Sequence, residues 1–155
     1  MQWVSSWKPD PPRWLGTDVA RLATPVGSIQ AGDYTGAATT LAPLSSQDPL
    51  AAVLLADLLL HQGEVQRAID ALSRHADGGK GDPRVTALLA AALARNDQAD
   101  VAQTLISTAL THFPQHEGLL LAQGELAIVQ GQANEARQAL SKVVLAQPKQ
   151  AQAWF

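Results

Sequence analysis

The sequence contains no cysteine. That single absence removes disulfides, thiolate metal sites and cysteine nucleophiles, and it leaves the compartment open: cytoplasmic, or bacterial periplasm or envelope if a targeting segment has been removed. Charge is also scarce. Only 16% of the 155 residues are Asp, Glu, Lys or Arg, and the net charge is −3. Four lysines, Lys8, Lys80, Lys142 and Lys149, lie far apart. A nucleic-acid partner requires clustered Lys and Arg to neutralise phosphates, so none is expected. No apolar run approaches the roughly 18 residues of a bilayer span, so no membrane insertion is expected. Pro and Trp interrupt the N-terminus where a secretion signal needs a continuous apolar segment. What remains, 46% hydrophobic, is ample for one cooperative domain.

Catalytic signatures are missing too. Gly78-Gly-Lys-Gly81 lacks the GxxxxGK[ST] frame of a phosphate loop, follows a helical pattern rather than a strand, and reads as a floppy connector. Of His61, His75, His112 and His116, only the last two have a spacing that zinc could use. Pro114 breaks the helix that would align them, and no HExxH carboxylate accompanies them. No serine stands in a GxSxG elbow and the acids are dispersed. The expectation is a protein with no catalytic residues, no metal ligands and no cofactor.

What is present is a repeat. Ala68, Ala102 and Ala136 are evenly spaced, the same interval separating the first from the second and the second from the third. Four residues after each comes a large aliphatic, Leu72, Ile106 and Leu140, and twelve before each a very small residue, Ala56, Ala90 and Gly124. Five before each is a turn-former, Gly63, Asp97 and Gly131. Pro114 and Pro148 close the last two copies, where the first has Lys80. A fixed period of this length marks an array of stacked helical units.

This 34-residue spacing of Leu, small residue, turn, Ala and Pro resembles the tetratricopeptide repeat (TPR) family. The copy at Asp82–Pro114 carries it most fully, with Leu89-Ala90, Leu93, Ala102, Ile106, Ala109 and Pro114. The resemblance implies an all-α fold, a right-handed α-solenoid of antiparallel helix pairs. The small residues would let paired backbones approach, and Leu59, Leu72, Leu93, Ile106 and Leu140 would fill the seams between repeats.

In chain order, residues 1–15 hold Trp3, Trp7, Trp14, Pro9, Pro11 and Pro12, a leader or a cap over the open face of the first repeat. Residues 16–47 read as a degenerate N-terminal helical repeat, with Thr24 capping a helix that starts at Pro25, Gly32 as turn, Ala37 as the close-packing alanine and Leu41 in the seam. Three repeats follow over 48–148, with helices expected at 49–61, 65–75, 83–95, 98–112, 116–130 and 133–146. Asp48-Pro49 and Asp82-Pro83 are matching helix starts, and Ala76–Gly81 is a flexible connector. Residues 149–155 read as the start of a further helix, with Trp154 at the opening of a fourth copy, so the chain reads as a truncated piece of a longer array.

In such a stack the first helix of each pair lines a concave groove. Helical spacing puts Leu50, Val53, Asp57, Leu60 and His61 there from one repeat, and Arg84, Ala87, Ala91 and Arg95 from the next. The third contributes Leu121, Glu125 and Ile128, with Val129 beside them. TPR-like adaptors that clamp a peptide carboxylate project Lys, Arg and Asn from these places. With only Arg84 and Arg95 basic, the groove suits an apolar peptide or amphipathic helix instead. The function expected is a non-catalytic protein–protein interaction module, a scaffold or adaptor. The alternatives are the helical flank of a larger enzyme such as a transferase, and a homo-oligomeric assembly unit.

Overall fold

The computed structural model describes Ala20 and residues 22–146. The Trp-rich leader and the start of a fourth copy lie outside them. Among the described residues eight α-helices follow one another: α1 (Ala23–Gln30), α2 (Tyr34–Leu41), α3 (Pro49–His61), α4 (Val65–Ala76), α5 (Pro83–Arg95), α6 (Ala99–His112), α7 (Glu117–Val129) and α8 (Ala133–Ala146). No strand occurs among the described residues. Each odd-numbered helix packs on the even one after it, and α3, α5 and α7 pack side by side. The result is an α-solenoid in which the first helices of successive pairs form one continuous row.

The period recurs in backbone chemistry. The turn residues Gly32, Gly63, Asp97 and Gly131 all have positive φ, between 59° and 84°. Each ends its helix in the same double hydrogen bond. Gly63 N–H donates to Leu60 O and Glu64 N–H to Leu59 O, and the pairs at Asp97/Gln98 and Gly131/Gln132 repeat this. This is the Schellman arrangement, which satisfies carbonyls otherwise orphaned at a helix end. Helix starts are equally regular: Asp48 accepts from Leu50 N–H at 3.0 Å and Asp82 from Arg84 N–H at 2.9 Å. Such caps stabilise by about 1 kcal/mol each.

Between paired helices, Ala56, Ala68, Ala90, Ala102 and Ala136 are buried, together with the seam residues Leu59, Leu72, Leu93 and Ile106. A Cβ added to Gly124 would come within 3.1 Å of Leu140, so only glycine fits there without a shift. Truncating a seam residue such as Leu72 or Ile106 to Ala would cost about 2–5 kcal/mol.

Two expectations are corrected. Thr24 is not a cap: α1 begins at Ala23, its N-cap is Leu22 with no side-chain bond, and Thr24 offers its carbonyl to the Ser28 hydroxyl. Pro25 still falls in the first turn, where its missing N–H does no harm. Nor is Ala76–Gly81 a floppy connector. Asp77 turns left-handed, Asp77–Gly79 forms a 3₁₀ turn, and Gly81 N–H bonds to Ala76 O at 3.1 Å. Gly79, at φ 96°, is buried against α6, where an added Cβ would lie 3.0 Å from the Leu105 carbonyl oxygen.

Candidate partner-binding groove

The first helices bring the expected groove residues onto one side of the stack but not into one environment. On α3, Leu50, Val53, Asp57 and Leu60 are buried, and only His61 is exposed. His61 meets Tyr34 of α2 edge-on, with ring centroids 5.1 Å apart. On α5, Ala87 is buried, Ala91 is half-buried and Arg95 is exposed. On α7, Leu121 is buried, Glu125 is half-buried and Ile128 is 60% exposed. The α3 end of the groove is thus closed and the α7 end open.

The open part is a cleft of about 190 Å³ between α5 and α7. Ala90, Ala91, Ala94 and Arg95 form one wall, and Ala122, Glu125, Leu126 and Val129 the other. Alanines make it wide because they fill little space between the helices. Val129, 68% exposed, stands with Ile128 at its rim. Its place one residue after Ile128, at the helix end, is the signal in the sequence that puts it there.

Charge in the groove is limited and mostly engaged. Arg84 is spent locally: its Nη2 donates to the Asp82 carboxylate at 2.6 Å, with both side chains mostly buried. Burial pushes the Asp82 carboxyl up. The hydrogen bonds and charge of Arg84, with His116 nearby, outweigh this and hold it below its ordinary value. Arg95 donates to the Leu60 carbonyl at 3.2 Å, tying the end of α5 to that of α3. Burial raises the Glu125 carboxyl above its ordinary value. Among the described residues, no three His, Asp or Glu side chains gather as a metal site, and no helix is long and apolar enough to cross a membrane.

The helix pairs, their constant register and the left-handed turn at a fixed place in each copy define the repeat. A profile described as tetratricopeptide repeat matches residues 28–92 and 93–154, most of the chain. The chain belongs to the tetratricopeptide repeat family. No match is found among curated proteins. TPR arrays are in general non-catalytic interaction repeats, so membership supports a module for protein–protein contact.

Proposed function

We propose that this TPR protein is a scaffold or adaptor that holds a partner's apolar peptide or amphipathic helix in the α5–α7 half of its concave groove. The observation that carries this reading is the open alanine-walled cleft with Ile128 and Val129 exposed at its rim. A helix laid there would place small apolar side chains over Ala91 and Ala94 and a carboxylate near the exposed Arg95. Arg84 is committed to Asp82, so the two-point basic clamp for a peptide terminus is not available.

The test is capture from native lysate by wild type and by the Ala94→Glu/Ile128→Lys variant, with light scattering on both. Both positions are at least partly exposed, so the variant should keep its helices. A partner retained by wild type and lost by the folded variant supports the reading. Equal capture by both places the contact elsewhere. A wild-type dimer split by the substitutions would make the cleft a self-association surface.

A further inference from the structure

A second cavity, of about 50 Å³, lies where α6, α7 and α8 meet, and Leu126 is a wall of both this cavity and the α5–α7 cleft. Gln103 and Ser107 of α6, Gln123 of α7, Gln130 and Gln132 of the turn and Glu135 of α8 surround it. Ile106, Leu126 and Ala127, all buried, complete its lining. One repeat earlier the same seam is apolar: Ile69, Leu89 and Val101 hold the places of Gln103, Gln123 and Glu135, and Ile69 and Leu89 are buried. The counterparts of Gln130 and Gln132 are Asn96 and Gln98, which satisfy each other, Asn96 Nδ2 donating to Gln98 Oε1 at 3.0 Å. In the third repeat none of the six polar side chains around the cavity bonds to another described residue. Gln in place of Ile and Leu gives up apolar burial, and no internal hydrogen bond offsets it. The donors and acceptors are turned outward, for something outside the fold.

We propose that this cavity is a second interaction site, which holds an extended segment of a partner protein by its backbone and places a Lys or Arg of that segment on Glu135. A carboxamide carries one C=O and one NH₂, the complement of the N–H and C=O of a peptide group. Only an extended segment leaves those two groups free, because a helix already uses them. The cavity has room for a few water molecules or one peptide group, and its buried aliphatic lining suits an adjacent apolar side chain. Among the residues lining it Glu135 is the only charged one, so a cation is the complementary end. No aromatic ring lines it, so a nucleobase would have nothing to stack on. Main-chain bonds supply affinity in such contacts and flanking pockets supply selectivity. The site does not depend on a partner docking between α5 and α7.

The probe is acetyl-Leu-Lys methylamide, titrated into the full chain while the side-chain NH₂ signals of the glutamines are followed by NMR. Its leucine addresses the aliphatic lining and its lysine Glu135. The expected result is a saturating shift of the Gln123 and Gln132 signals. The same compound with methylated backbone nitrogens should bind roughly three- to ten-fold more weakly, the loss of one hydrogen bond. Gln123→Leu/Glu135→Val, which restores the residues of the preceding repeat, should abolish the response while keeping the helices. Absence of any shift up to the solubility limit overturns the proposal, as do shifts confined to Ala91, Ala94 and Val129, which would put the probe in the cleft. A double variant that melts higher yet binds the probe as well as wild type also overturns it, and makes the seam merely hydrated. Should that variant fail to fold, the comparison on wild type decides: equal binding of the methylated and unmethylated compounds overturns the proposal, and weaker binding of the methylated one upholds it.

Discussion

His116 holds the place in its repeat that Asp82 holds one repeat earlier, and each closes the start of its helix with a side-chain acceptor. Asp82 Oδ1 accepts from Arg84 N–H at 2.9 Å, and His116 Nδ1 accepts from Leu119 N–H at 3.3 Å. The substitution keeps the cap and makes it titratable, because an imidazole can accept at Nδ1 only while that nitrogen carries no proton.

Burial lowers the His116 pKa below its ordinary value, the Arg84 charge acts in the same direction, and Asp82 partly opposes both. With the folded pKa below the unfolded value of about 6.5, the cap's contribution is complete above that pH. It is lost progressively as the pH falls toward the folded pKa, because the unfolded chain takes up its proton first. His116→Asn keeps an acceptor without the titration. Urea midpoints between pH 7.5 and 5 should therefore fall more for wild type than for His116→Asn, and equal falls would refute the assignment. His116→Ala should lose about 1 kcal/mol at pH 7.5.

Asp97 is the one turn residue of the four that is not glycine, yet it holds φ 59° like the others. An L-residue with a Cβ is strained in this region, and glycine is not. Asp97→Gly should stabilise by about 0.5–1 kcal/mol after allowing for the greater freedom of glycine in the unfolded chain. For a chain of this size that is a rise of about 1–4 °C in Tm. Gly131→Ala should move the melt the other way.

The two connector glycines separate backbone strain from contact. Both have positive φ, but an added Cβ meets nothing within 4 Å at Gly78, whereas at Gly79 it meets the Leu105 carbonyl and Thr108. Gly79→Ala should therefore lower stability by at least about 1 kcal/mol more than Gly78→Ala. Equal melting points would mean that the connector does not rest on α6. Ala102→Leu and Gly124→Leu test the helix–helix approach in the same way, each costing about 1–3 kcal/mol through overpacking.

Helices α3 to α8 are legible in the sequence because one short spacing rule fixes several things together: the small residue at the close approach, the left-handed turn five residues before the next alanine, and the Asp-Pro start. The start of α1 was not legible. Thr24-Pro25 has the chemistry of a cap, but Leu22 is buried, and its packing draws the helix start upstream. The connector misled for a related reason, since Gly-Gly-Lys-Gly looks loose until α6 is seen against Gly79. For the groove, the repeat register placed Val53, Ala87 and Leu121 on one face. It could not tell the closed α3 end from the open α7 end, because what covers a helix is not written in its own period.

Thr86 offers a prediction of opposite sign to most. It lies in α5, fully buried, and its hydroxyl has no hydrogen-bond partner among the described residues. A buried hydroxyl left unsatisfied costs on the order of 1–3 kcal/mol, while valine has nearly the same shape and nothing to satisfy. Thr86→Val should therefore raise stability by about 1 kcal/mol, visible as a Tm increase of about 2–4 °C. Thr86→Ser, which keeps the hydroxyl and loses the methyl, should lower it. A loss of stability in the valine variant would show that the hydroxyl has a hydrogen-bond partner inside the stack.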